Sequence, residues 1–181
     1  MLFVEEFKLL GVFITSDLKW HKNTNYITTV GFQRLWMIRR IKQLGASQSE
    51  LLDVYVKQVR SILEFASVVW HPGLTQDNTA QIERVQKSAF AIILGKDYSS
   101  YENSLQILNM KTLTQRREEL SVNFAKKAAD HQRHSTWFKL QTETVNTRSI
   151  RPTYIPVKFR TERFKNSPLP YLTSLLNKPN Q

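Results

Sequence analysis

The chain has 181 residues, no cysteine and a formal net charge of +11. Its length is enough to bury one hydrophobic core, and the lack of thiols excludes disulfide bonds, cysteine nucleophiles and thiolate metal sites. No run of about 18 apolar residues predicts a membrane span, and Met1–Lys8 lacks the layout of a signal peptide. We therefore expect an intracellular protein with a polyanionic partner, nucleic acid before membrane.

The positive charge is concentrated towards the C-terminus. Residues 1–130 contain 17 Lys/Arg and 13 Asp/Glu, whereas residues 131–181 contain nine and two. Five of the six prolines also lie beyond residue 150. This pattern predicts a mildly basic folded body followed by a basic, extended or irregular region at 132–181.

A short β element and a long helix are predicted first. Phe7 to Thr15 has the weak alternation of a strand or half of a hairpin, and so short a strand needs a partner sheet. Residues from about 19 to 44 read as a helix that Gly45 closes. The apolar side chains of this helix that share an inner face are Ile27, Val30, Leu35, Ile38 and Ile41.

The chain between residues 47 and 72 predicts a second helix. Ser47 and Glu50 have the spacing of a capping box, and the helix is expected to continue to about Val69 before Pro72 ends it. Asp53 with Lys57 and Arg60 with Glu64 have the spacing of ordinary ion pairs along it, so Glu64 is interpreted as structural rather than catalytic.

Three further helices complete the predicted body. They are expected at about 78–94 with Gly95 at the end, at 101–108, and from the cap Thr112 to about Asp130. The predicted fold class is therefore mainly α, with a short N-terminal β element and a bundle of four to five helices. His131 and His134, just beyond the last helix, are interpreted as surface residues and not as a metal pair, because no third ligand is nearby.

Several short phrases occur in the order found in one family of proteins. They are Leu10–Val12 (LGV), Arg34-Leu35 with Ile38-Arg39-Arg40, 62–70 (ILEFASVVW), 82–86 (IERVQ), 113–117 (LTQRR) and 159–164 (FRTERF). In this respect the chain resembles the C-terminal part of the reverse transcriptase of LINE-type, jockey-like non-LTR retrotransposons. Family members often have Asp at the place of His71 and usually Tyr at the place of Phe65.

The resemblance implies a division into the end of the palm with a primer-grip strand (1–18), a helical thumb (19–131) and a basic C-terminal region (132–181). Polymerases of this kind hold two Mg²⁺ ions between palm carboxylates, which in the family include an Asp pair ahead of the LGV strand. This chain has no Asp-Asp pair, and six residues precede Phe7. We therefore expect no catalytic residue, metal or cofactor in it, and no polymerase activity by the chain alone.

Two predicted surfaces could bind nucleic acid in the first part of the chain. The resemblance implies that Leu10 and Gly11 hold the primer, although a plain buried strand would use Gly for packing. At 100° per residue, Phe32, Trp36, Arg39 and Arg40 lie opposite the inner face of the first helix, with Lys22 on the same side. Aromatic rings beside guanidinium groups suit contact with bases, sugars and phosphates, or packing against another helix or the missing palm.

Other basic residues are further candidates. Arg60 could face a phosphate from the second helix. The basic C-terminal candidates alternate with aromatic residues and could follow a phosphate backbone, or their aromatics could pin the region to the helical body. They are Arg148, Arg151, Lys158, Arg160, Arg163 and Lys165.

The resemblance predicts a fragment that grips template–primer nucleic acid, such as an RNA–DNA hybrid, and that contacts the missing palm. No membrane partner is expected, and the oligomeric state is left open. One alternative is a domesticated module that binds another protein through Phe32, Trp36 and Trp70. Another is a remnant of the element without a selected function.

Overall fold

The N-terminal β element is an antiparallel hairpin in the computed structural model, which describes residues 4–140 and 154–178. Strand β1 (Glu6–Leu9) pairs with β2 (Val12–Thr15), and Leu9 faces Val12 across a two-residue loop. Both loop residues have positive φ, 46° at Leu10 and 91° at Gly11, as in a type I′ turn. The segment predicted as a strand or half of a hairpin therefore forms a complete hairpin.

Helix α1 (His21–Gln43) follows the hairpin and has the predicted two faces. Ile27, Leu35 and Ile38 are buried, whereas Val30 and Ile41 are half-buried. After the helix, Gly45 has a φ of 88°, and its N–H donates to the carbonyl of Lys42 at 3.0 Å. The predicted glycine terminus of this helix is confirmed.

The predicted second helix is interrupted. The capping box of Ser47 and Glu50 starts α2 (Gln48–Val54), which continues through a π-helical turn (Tyr55–Arg60) into α3 (Ser61–Glu64). At Phe65 the backbone turns to ψ 126°, and Ala66 has a φ of 50°. The expectation of one helix to about Val69 is wrong, because these two residues leave the helical conformation before α4 (Ser67–Trp70) and the 3₁₀ turn His71–Gly73.

Helix α5 (Gln76–Leu94) begins after the cap residue Thr75, slightly before the predicted start at about residue 78, and ends at Gly95 as predicted. Its last carbonyls accept hydrogen bonds from the ammonium group of Lys42, at 2.5 Å to Ile92 and 3.1 Å to Ile93. A cation in this position also interacts favourably with the helix dipole. Lys42 thus joins the end of α1 to the end of α5.

Helices α6 (Tyr101–Ile107) and α7 (Leu113–Asp130) follow at the predicted places. Thr112 and Gln115 make reciprocal hydrogen bonds of 3.2 Å between side chain and backbone N–H at the start of α7. The predicted fold class, mainly helical with a short N-terminal β element, is confirmed.

The contacts divide the chain into two compact units. The first unit contains Met1–Ser67 and Leu74–Arg116, and the second contains Val68–Gly73 and Arg117–Gln181. The core of the first unit is formed by α1, α2, the π-helical turn, α3 and α5. Its fully buried apolar side chains include Ile38, Tyr55, Val59, Leu63, Ile82, Val85, Ala89 and Phe90.

The second unit has more regular structure than its prolines suggested. Helices α8 (Glu162–Lys165) and α9 (Pro168–Asn177) lie in the region predicted to be extended or irregular. The expectation of irregular structure is wrong for these two helices. In α9, Pro168 and Pro170 occupy the first turn, where a missing N–H costs no intrahelical hydrogen bond. The core of this unit contains Ala125, Ala128, Phe138 and Leu172.

Candidate nucleic-acid interface

The outer face of α1 exposes two aromatic rings beside two guanidinium groups. The exposed fraction is 61% for Trp36 and 39% for Phe32, and Arg39 and Arg40 are also exposed. Arg40 donates to the Oε1 atom of Gln43 at 3.2 Å. The four residues therefore lie together on the side of α1 that does not face the core, as predicted from the helical spacing. We call this set, Phe32, Trp36, Arg39 and Arg40, the α1 face.

The charge of α1 is entirely positive. Its 23 residues contain no Asp or Glu, and its five Lys/Arg residues differ in their partners. Arg34 donates to the backbone carbonyl of Gln58 at 2.7 Å, and Lys42 caps α5. Among the residues that the structure describes, Arg39 and Arg40 form no ion pair with a carboxylate. Their charges are therefore not neutralised within the described chain.

The hairpin tip lies beside a groove of about 350 Å³ in the same unit. Leu10 is 86% exposed, and the ring of Phe65 is 3.2 Å from the position that a Cβ on Gly11 would take. At the wall of the groove, the Oδ1 atom of Asn23 accepts the N–H of Phe13 at 3.2 Å, whereas its buried Nδ2 atom has no hydrogen-bond partner among the described residues. The two predicted primer-contact residues are therefore accessible, and Gly11 permits close packing.

Lys22 is engaged with the hairpin. Its ammonium group lies 2.8 Å from the Oε1 atom of Glu6 and 5.8 Å from the ring centroid of Phe13. It is also about 27 Å along the helix from Arg40, given a rise of about 1.5 Å per residue. Lys22 therefore lies at the far end of α1 with a compensated charge, apart from the α1 face.

Arg60 belongs to a half-buried ion cluster. Its guanidinium lies 3.8 Å from Glu64, and that carboxylate also receives two hydrogen bonds from Arg116, at 2.5 and 3.0 Å. The predicted pairs Arg60–Glu64 and Asp53–Lys57 are both present. Only 17% of the Arg60 side chain and 11% of the Glu64 side chain are exposed. We therefore place Arg60 in the packing of the first unit and leave it out of the candidate interface.

The basic C-terminal candidates are only partly described. Arg148 and Arg151 lie outside the described residues. Lys158, Arg160 and Arg163 are exposed in the second unit. Lys165 is 3.2 Å from the carboxylate of Glu162 and 5.7 Å from the ring centroid of Phe159. Lys158, Arg160, Arg163 and Lys165 are thus exposed basic residues of the second unit.

The surroundings of Trp70 and His71 in the structure were not predicted from the amino-acid sequence. Trp70 is fully buried, and the guanidinium carbon of Arg117 lies 5.8 Å from its ring centroid. The suggestion that Trp70 docks a protein partner is therefore wrong. The imidazole of His71 faces Arg117 and Tyr171. Burial and the nearby Arg117 charge lower the pKa of His71 to about 4.

Within 4–140 and 154–178 no group of three or more His, Cys, Asp or Glu residues could hold a metal ion. Over the same residues, no helix is both long and apolar enough to cross a membrane.

Comparison of the chain with models of protein families, with curated proteins and with solved structures finds no match in any of the three. The resemblance to LINE-type reverse transcriptases therefore depends on the phrases in the sequence. The geometry of the α1 face depends neither on this resemblance nor on the comparisons, because it follows from the exposure and charge of the side chains.

Proposed function

We propose that this chain binds double-helical nucleic acid through the α1 face, as the thumb-like part of a LINE-type reverse transcriptase binds template–primer. The observation that carries the proposal is the exposure of Trp36 and Phe32 beside Arg39 and Arg40 on a helix without an acidic residue. The net charge of +11 supports it.

The chemistry of the α1 face suits a duplex backbone. Guanidinium groups make charge-assisted, often bidentate hydrogen bonds to phosphate oxygens. Most protein–nucleic acid hydrogen bonds reach phosphate and sugar, and such contacts position the duplex without reading its sequence. An indole beside two such groups adds apolar contact with the sugar edge. The expected binding is therefore largely independent of sequence.

The hairpin supports the same proposal at a second point. Its tip presents Leu10 and Gly11, the residues that correspond to the family's primer grip, next to the groove bordered by Asn23 and Arg34. A glycine with a φ of 91° lets another backbone approach closely. In the proposed complex, the α1 face holds the duplex and the hairpin tip lies near the primer strand.

A second candidate function is docking of another protein domain on the hairpin. Phe7 and Leu9 are about half exposed and Leu10 more so, and β1 pairs only with β2 among the described residues. Two-stranded hairpins are marginal in water alone, and an open strand edge can pair with a partner strand. In the reverse transcriptase interpretation, this partner is a palm domain.

Fluorescence anisotropy with a labelled RNA–DNA hybrid tests the proposal. The double variant Arg39→Ala/Arg40→Ala should weaken binding by about 10-fold or more, because two phosphate contacts are lost, and its circular dichroism should remain that of the wild type. Arg84→Ala/Lys96→Ala is the matched control, since it also removes two exposed cations of the first unit. If both variants lose affinity equally, the effect is one of net charge and the α1 face is not the binding site.

A further inference from the structure

Three aromatic rings lie side by side after α7 in the second unit, His131 stacked on His134 and Trp137 tilted against His134. The ring centroids of His131 and His134 lie 4.9 Å apart, and those of His134 and Trp137 lie 4.6 Å apart. The interplanar angles are 29° and 40°. The Trp137 side chain is 48% exposed, and His131 is exposed as well. We call these three residues the ring column; about half of its indole is open to solvent.

The backbone holds the ring column in place. The carbonyl of His131 accepts the N–H groups of His134 and Ser135, both at 2.9 Å, and the carbonyl of His134 accepts the N–H of Trp137 at 2.9 Å. The next residue, Phe138, is only 4% exposed and belongs to the core of the second unit. Because the turn is hydrogen-bonded and anchored, the backbone that carries the rings is held before any ligand arrives, which lowers the entropic cost of binding.

The chain on either side of the ring column is rich in cationic residues. Lys126, Lys127, Arg133 and Lys139 are exposed, and Asp130 is the one carboxylate between residues 126 and 140. Within the described part of the chain, none of these four cations is in an ion pair. A ligand that combines a flat apolar group with negative charge would complement both the exposed rings and the exposed cations.

The geometry does not suit a metal ion. A metal binds a lone pair in the plane of an imidazole ring, but His131 and His134 turn their faces towards each other. The Nδ1 atom of His131 already accepts the N–H of Arg133 at 3.2 Å. The two rings are therefore arranged for stacking and not for convergent coordination.

We propose that the ring column is a stacking platform for unpaired bases of single-stranded nucleic acid, with the neighbouring cations holding the phosphates. Every base has a π-face, so stacking on an exposed ring tolerates any sequence. A duplex hides these faces inside its own base stack, and only unpaired bases can reach the indole. This site goes beyond the duplex contact proposed for the α1 face and does not depend on it.

The test compares two labelled strands of equal charge with the full chain. One is an oligo(dT) of about ten nucleotides, within the usual footprint of a single-strand binding module, and the other is an abasic strand of the same length. The wild type should bind the oligo(dT) more tightly by anisotropy. Trp137→Ala should lower that affinity about 5-fold or more and leave binding of the abasic strand unchanged, whereas Trp137→Phe should retain most of the preference.

Phe124→Ala is the matched control, because it removes another exposed aromatic ring from the second unit. Equal affinity of the wild type for both strands, or no binding of either, would overturn the platform. A base preference that survives in Trp137→Ala but disappears in Phe124→Ala would also overturn it and assign the stacking to another ring. The duplex proposal is measured separately with Arg39 and Arg40 variants, so each proposal can fail alone.

Discussion

The ring of Phe65 lies 3.2 Å from the position that a Cβ on Gly11 would occupy. This contact joins the tip of the hairpin to the point where the chain leaves α3. Two segments that are more than fifty residues apart in sequence are thus in contact in the first unit. This close contact depends on the lack of a side chain at Gly11.

Gly11→Ala should destabilise the first unit by about 1–3 kcal/mol, because a side chain is strained at positive φ and would press on the Phe65 ring. Urea denaturation measures the change. Gly45→Ala is the control for φ alone, since Gly45 has a φ of 88° and open space around its Cβ position. Equal losses of stability in Gly11→Ala and Gly45→Ala would mean that the contact with the Phe65 ring adds nothing to the effect of Gly11→Ala.

Tyr55→Phe should cost about 1–3 kcal/mol of stability, because it leaves a buried acceptor without its donor. The Tyr55 hydroxyl donates to Oε1 of Gln86 at 2.5 Å, and Nε2 of Gln86 donates to the Tyr101 hydroxyl at 2.8 Å. Burial, the largest cause, raises the pKa of both tyrosines, so both stay protonated donors at neutral pH.

Tyr98→Phe is the control for the Tyr55 prediction, since Tyr98 is only half-buried and outside this network. The free energy of unfolding of both variants can be compared in one urea series. A Tyr55→Phe chain as stable as Tyr98→Phe would contradict the importance of the buried network.

The second unit should lose stability as the pH falls from about 6.5 towards 4. Because burial and Arg117 lower the pKa of His71 to about 4 in the folded state, the unfolded chain binds a proton first, and stability is greatest above the unfolded pKa. Because solvent screens the partly buried His71, the expected loss of stability is about 1–2 kcal/mol, less than the full pKa shift would give.

Thermal unfolding followed by tryptophan fluorescence at pH 7.5 and pH 5 measures this loss. His71→Asn keeps a polar side chain that cannot titrate and should remove the part of the pH dependence that comes from His71. If the variant retains the same pH dependence as the wild type, other groups cause it.

Binding of the RNA–DNA hybrid should weaken steeply as salt rises, because each neutralised phosphate releases counterions. In a plot of log K against log salt concentration, Arg39→Ala/Arg40→Ala should reduce the slope by about 2, close to 0.9 for each lost phosphate contact. The slope of Trp36→Ala should stay near that of the wild type, since an indole carries no charge. A double variant with an unchanged slope would contradict direct phosphate contacts by these arginines.

Local signals in the sequence predicted the helices well. The capping box at Ser47 and Glu50, the stop at Gly45 and the exposed Phe32–Arg40 side of α1 depend on residues within a few positions of one another. Such features follow from helical geometry and from hydrogen bonds between near neighbours. For this reason the α1 face could be predicted before any tertiary contact was known.

Other features were decided by contacts between residues distant in sequence. No residue near Phe65 predicts the break in the helix before α4, and this break brings the Phe65 ring to Gly11. The sequence spacing predicts the pair of Glu64 with Arg60, but only the folded chain shows that Arg116 also binds Glu64. The ring column of His131, His134 and Trp137 also depends on a turn that Phe138 anchors in the core. The sequence by itself therefore determined α1, α5, α6 and α7 and the polar and apolar faces of α1. Only the tertiary structure decided which side chains meet, because burial and packing depend on all the elements at once.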